Sequence, residues 1–261
     1  MSISAIVRPL TTFFSSLALL STLLAGWVAA ADITVSAAMS LKGAFEEIGR
    51  SYETRHPGSK VHFNFGASGD LARQIAGGAP IDIFAAAAQR DMDDLAARGL
   101  IQSATCAVFA GNTLVVLAPK RGGNLKSFPD LRNPSVKRVA VTNPKTSPAG
   151  RYASQAFAHY RVAGEVKNKL IYAENVRQVM DYVARGEVDA GVVFGSDAVV
   201  RAHEVVVAAT AAPESHELIL YPIAVTKDSR RAADAVRFIA VVLSDEGQHI
   251  LKKHGFIRLR Q

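Results

Sequence analysis

Cysteine is almost absent from this chain. Of its 261 residues only Cys106 carries a thiol, so no intramolecular disulfide can staple the fold. Tryptophan occurs once, at Trp27, and aromatic residues make up 7%, with no basic-aromatic interleaving of the kind that stacks on bases. The histidines, at positions 56, 62, 159, 203, 216, 249 and 254, form no HExxH motif and no Cys/His cluster, which argues against a structural zinc site. Burial must therefore hold the fold together. With 49% hydrophobic residues and this length, a well-packed core is feasible.

Charge is also scarce at the start. Arg8 is the only charged residue before Asp32, the stretch Phe13 to Ala25 is apolar apart from a few Ser and Thr, and Val28-Ala29-Ala30 supplies small residues. This is the order of a secretory signal, too short and too rich in Ser and Thr to be a membrane span. Residues 1–30 are expected to be removed, by cleavage after Ala30 or Ala31, leaving a soluble periplasmic protein without tryptophan. The net charge of +7 is dispersed, except for Lys252-Lys253 and Arg258/Arg260 near the C-terminus. Export and dispersion speak against nucleic acid as a partner. The excess serves solubility or a mild attraction for anions.

From Asp32 onward strand-like and helix-like periods alternate. Strands are expected over 33–36, 61–65, 81–85, 113–118, 138–142, 169–172, 190–194 and 217–226. Helices are expected over 41–55, 71–75, 91–98, 150–160, 176–184, 232–243 and 246–254. The order predicts an α/β fold of two lobes, each a mixed, mostly parallel sheet flanked by helices. Lobe I is expected to take 31–112 and 226–261 and lobe II 113–225, joined by β-like crossings near Leu114–Leu117 and Ile223–Val225. This is a two-lobe binding-protein architecture of the type II kind.

Four short turns each sit between a strand-like and a helix-like stretch: Ala37 to Leu41, Phe65 to Leu71, Asn143 to Gly150, and Ala173 to Arg177. Helix N-termini present unpaired N–H groups and partial positive charge, so several that converge can hold an anion without a formal cation. Each turn alone is ordinary helix initiation. Ser40 and Ser68 stand where helix caps stand, Asn175 is a candidate cap, and Ala149 and Val176 offer only backbone N–H groups. Asp70 fits the N-terminal end of a helix dipole, or, if turned inward, would repel a dianion. In open α/β sheets ligands sit at the carboxyl ends of strands, where all four turns fall. The pattern points to a secreted receptor for a small oxyanion.

Several segments carry a family resemblance. Ile33 to Leu41, Ala67 to Ile75, Gly111 to Val116, Pro148 to Ala153, Glu174 to Arg177, Gly195 to Ala198, Tyr221 to Val225 and Gly255-Phe256 resemble the ModA family of periplasmic molybdate-binding proteins of ABC importers. The similarity runs over essentially the whole chain after the signal. It implies a tetrahedral oxyanion, molybdate or tungstate, held by the hydroxyls of Ser40 and Ser68 and by backbone N–H groups of those serines, Ala149 and Val176. Molybdenum then enters only as the bound oxyanion, with no side chain on the metal and no cofactor. The resemblance further implies a non-enzymatic monomer that delivers its ligand to a membrane ABC permease. The family's tyrosine position is Phe194 here, so that hydroxyl is missing. Binding is expected to survive with a remodelled donor set, Lys145, Thr146 or Ser147 being near enough in sequence to contribute.

The alternatives are a receptor for sulfate, phosphate or an organic anion, and a secreted serine hydrolase built on Ser68 or Ser196. Gly66-Ala67-Ser68-Gly69-Asp70 is not a G-x-S-x-G elbow, and no histidine is placed as its base. An iron receptor would want an adjacent tyrosine pair, which is lacking. An effector-sensing module of a regulator conflicts with the signal and with the lack of a helix-turn-helix.

Overall fold

A computed structural model describes residues 32–120 and 125–259. The expected signal segment lies outside the described residues, and so does Arg260. Among the described residues no helix is long and apolar enough to cross a membrane.

The chain opens with β1 (Ile33–Ala38), α1 (Lys42–Arg55), β2 (Val61–Gly66), α2 (Ser68–Ala76), β3 (Ile83–Ala85), α3 (Gln89–Ala97) and β4 (Ala107–Gly111). It then crosses at Asn112-Thr113 into β5 (Leu114–Pro119), β6 (Val139–Thr142), α4 (Pro148–His159), α5 (Ala163–Val166), β7 (Leu170–Ala173), α6 (Val176–Ala184), β8 (Ala190–Phe194), α7 (Gly195–Val200) and β9 (Val205–Thr210). It returns as β10 (Leu220–Val225) and ends in α8 (Ala232–Leu243) and α9 (Asp245–Lys253).

Two five-stranded sheets result, in the orders β2-β1-β3-β10-β4 and β7-β6-β8-β5-β9. In the first, β1 pairs in parallel with β2 and β3, while β10 runs antiparallel to β3 and β4. In the second, β6 is parallel to β7 and β8, and β5 antiparallel to β8 and β9. The strands nearest the site are covered on both faces. Ile33, Val35, Ser36 and Ala37 are all fully buried, as are Ala190, Val192 and Val193. Continuous burial of this kind is the mark of parallel strands under helices.

Both crossings differ from the sequence expectation: the first, expected near Leu114–Leu117, is Asn112-Thr113, because β5 lies inside the second sheet between β8 and β9. Residues 220–225 were assigned to the second lobe, with a crossing at Ile223–Val225, yet β10 lies inside the first sheet between β3 and β4. The β-like run from Glu217 hides the true return. Leu218 is three-quarters exposed, and ladder bonds to the first sheet begin only at Leu220. The second crossing is therefore 211–219, and the second sheet's share of the chain ends with β9.

Aromatic packing anchors the first lobe. Phe45 of α1 meets Phe109 of β4 at 5.7 Å and Phe238 of α8 at 6.1 Å between ring centroids. These contacts clamp the returning C-terminal helices onto the N-terminal sheet. The core is continuous through the crossings, so the ends of β1, β2, β6, β7 and β8 are held toward one another.

Candidate functional site

Those strand ends enclose a small cavity between the lobes. Its volume is about 10 Å³, room for about one water. Ser40 and Ser68 of the first lobe and Ser147, Pro148, Val176 and Phe194 of the second line it. No Lys, Arg, Asp or Glu is among its lining residues. Four of the five expected site residues thus meet in one place. The fifth, Ala149, is buried in the first turn of α4, directly after the lining Pro148.

Neither serine caps a helix. Ser40 sits within a 3-10 turn (Met39–Leu41) whose cap position is Ala38, and Ser68 is the first residue of α2, whose cap position, Ala67, has no polar side chain. Their hydroxyls are therefore not spent on their own helices. Ser68 Oγ accepts the Ala87 N–H at 3.0 Å, which leaves the serine's own proton for the cavity. Ser40 Oγ lies 3.0 Å from the hydroxyl of Tyr221.

The helix ends complete the donor set. No side-chain cap closes α2 or α4; the Gly69 N–H goes to the Thr146 carbonyl and that of Asp70 to Ala67, which leaves the N–H of Ser68 on α2 and of Ala149 on α4 as first-turn donors. On α6, Asn175 Oδ1 takes the N–H groups of Arg177 at 3.0 Å and Gln178 at 3.2 Å, which leaves the Val176 N–H as the first donor facing out of the helix. Gly150 allows α4 to start close against its preceding loop, because a Cβ there would stand 2.2 Å from the Thr142 carbonyl oxygen. Pro148, whose missing N–H costs nothing at the first helical position, fixes the entry.

Phe194 presents a ring where a hydroxyl was implied by resemblance. It is buried edge-to-face between Tyr152 and Tyr221, at 6.2 and 5.9 Å. Asp70 turns outward and pairs with Arg73 on its own helix. Of the nearby alternatives for the missing donor, Ser147 reaches the cavity, whereas the Thr146 carbonyl accepts the Gly69 N–H at 3.0 Å across the cleft.

Beside the cavity lies a larger cleft of about 290 Å³ bordered by Arg73, Arg90, Arg98, Lys145 and Arg151, with Asp91 and Asp94. This positive surplus attracts anions towards a lining that itself carries no formal charge. Two residues that matter escaped the sequence reading: Tyr221 behind Ser40, and Asn112, which bonds Tyr221. A buried asparagine between two strands was the available signal.

The two serines weighed as nucleophiles are bonded to amide groups. Ser68 Oγ has Ala87 N–H as its partner and Ser196 Oγ has Asn112 Nδ2 at 2.8 Å, with no histidine bonded to either. Among the described residues no group of three or more His, Cys, Asp or Glu side chains is arranged to hold a metal ion.

Comparison with known proteins places this geometry. Residues 33–257 match the family described as bacterial extracellular solute-binding protein. The molybdate-binding protein ModA of Escherichia coli is 36% identical over 231 residues, covering 86% of this chain and 88% of that one. The structure of the Azotobacter vinelandii periplasmic molybdate-binding protein superposes with a TM-score of 0.78 over 88% of this chain and 100% of its own, at 22% identity. The sulfate-binding protein SubI from Mycobacterium tuberculosis shares the fold at a TM-score of 0.75 and 18% identity, over 88% of this chain and 87% of its own.

Proposed function

Because the chain belongs to the bacterial extracellular solute-binding protein family, we propose that it is a periplasmic receptor that captures molybdate, and tungstate with it. It then presents the anion to a membrane ABC permease. The observation that carries this reading is the convergence of two serine hydroxyls and uncapped helix ends, from both lobes, on one uncharged cavity. Such a set offers hydroxyl and N–H donors and no carboxylate acceptor. It suits an oxyanion that is fully deprotonated near neutral pH, whereas a ligand bearing its own O–H would need an acceptor.

Capture follows from the two-lobe geometry. Ser40 and Ser68 belong to one lobe, Ala149 and Val176 to the other, and the anion bridges them. The ligand favours the closed form by as much as its contacts there exceed those in the open form. No bond is made or broken. The small cavity favours a compact inorganic anion over an organic one. Sulfate, equal in charge to molybdate and smaller, is the competitor that cavity size must reject.

A thermal-shift titration of the processed protein with molybdate, tungstate, sulfate and phosphate tests the reading. A ligand at 100 times its Kd stabilises by about 2.7 kcal/mol, or roughly 5–10 °C for a chain of this size. Shifts with molybdate and tungstate alone are expected. A shift with sulfate or phosphate in their place would reassign the ligand.

A further inference from the structure

Asn112 occupies the first crossing between the lobes and is buried. Its Oδ1 accepts two backbone N–H groups, from Thr113 at 2.9 Å and Ser196 at 3.3 Å. Only the carbonyl oxygen of an amide can face two donors, so the side chain has one orientation. Its NH2 group then faces Ser196 Oγ at 2.8 Å and the Tyr221 hydroxyl at 3.1 Å. Tyr221 is fully buried, and its oxygen receives this N–H. Its own proton has one remaining partner, Ser40 Oγ at 3.0 Å, and donating there keeps this buried hydroxyl from being left with an unpaired proton.

Resting on the reading of the cavity as an oxyanion site, we infer that Asn112 and Tyr221 are positioning residues. They act in series to commit the Ser40 hydroxyl as a donor to the bound anion. Ser40 accepts from Tyr221, so its proton is left for the cavity it lines. The arrangement parallels Ser68, which a single N–H of Ala87 turns the same way. Hydrogen bonds in such a series polarise one another. Burial pushes the Tyr221 phenol well above its ordinary range, which keeps its proton in place. The phenol that Phe194 does not offer directly is thus replaced by one that acts through a serine. The same commitment sets specificity: a ligand O–H directed at Ser40 would meet a proton instead of a lone pair.

The test is a double-mutant cycle read by isothermal titration. Tyr221→Phe keeps the ring and its edge contacts with Phe109 and Phe256, and melting of the unliganded variants controls for folding. Tyr221→Phe is expected to weaken molybdate binding by roughly tenfold and to narrow the preference for molybdate over phosphate. In a Ser40→Ala background the same change should cost nothing further. Asn112→Ala should act in the same direction, again only when Ser40 is present. Equal losses with and without Ser40, or no loss in either, would overturn the inference while leaving the receptor function standing. A wild-type protein silent to molybdate, tungstate, sulfate and phosphate would overturn both.

Discussion

Arg151 of α4 reaches across the cleft to Asp91 of α3, with Nη2 2.6 Å from Oδ2. Each residue belongs to a different lobe, and the aspartate side chain is only 7% exposed. Burial pushes the Asp91 carboxyl up, and Arg151 pulls it back without undoing the shift. The pair is therefore desolvated when the lobes meet and hydrated when they part. Removing one partner leaves a buried charge uncompensated in the closed form alone.

Arg151→Met should accordingly weaken anion binding by tenfold or more, with little change in the melting of the ligand-free protein. Asp91→Asn combined with Arg151→Met should recover much of the loss, because the orphaned charge is gone. Titration calorimetry of the two variants against wild type decides this. A double variant as weak as the single one would show that the pair acts by direct attraction and not by sparing a desolvated charge.

A second inter-lobe contact gives a sharper test. The Gly69 N–H donates to the Thr146 carbonyl at 3.0 Å, and a Cβ on Gly69 would lie 2.6 Å from that same oxygen. Both partners are backbone, so neither can step aside cheaply. Gly69 is nonetheless helical, where alanine is intrinsically favoured by about 0.5–1 kcal/mol. Gly69→Ala should therefore leave the unliganded protein as stable as wild type or slightly more so, while anion affinity falls at least tenfold. Small-angle scattering should show a ligand-saturated variant that fails to contract. Unchanged affinity would mean that the lobes close without this contact.

Much of the fold was legible because the decisive signals were local. The range of α6 follows from Val176, Val179, Met180 and Val183, four residues at helical spacing that are all buried. The site turns could be read because each joins a strand end to a helix start. Four elements escaped for physical reasons, one of them α5, a single turn of four residues too short for helical periodicity to show. β4 is five small or apolar residues without alternation, β9 is an edge strand with a mostly exposed valine run, and α7 follows β8 with no turn residue between them. Ser40 and Ser68 read as caps since spacing cannot reveal that the real cap positions are alanines. Tyr221 and Asn112 were invisible as site residues, because their bonds join positions 181, 109 and 84 residues apart.

Asp197 makes stability depend on pH. It is buried in α7, where its Oδ2 accepts the Phe194 N–H at 3.1 Å. Burial pushes its carboxyl up to about 7, against an ordinary value of 3.8, although the Phe194 N–H and the charge of Arg177 both pull it down. Between those two values the unfolded chain has lost this proton and the folded chain has kept it. The folded state then binds more protons, so this group's contribution to stability falls as pH rises from about 4 to about 7 and is level beyond. Asparagine at this position keeps an oxygen for Phe194 and has no proton to lose. Asp197→Asn should match wild type in melting temperature near pH 4 and gain on it steadily up to pH 7. Above that the gain should hold constant, at about 10 °C for a difference on the order of 4 kcal/mol. Parallel melting curves for the two proteins across that range would show that Asp197 is ionised in the fold, held there by Arg177 and the Phe194 N–H.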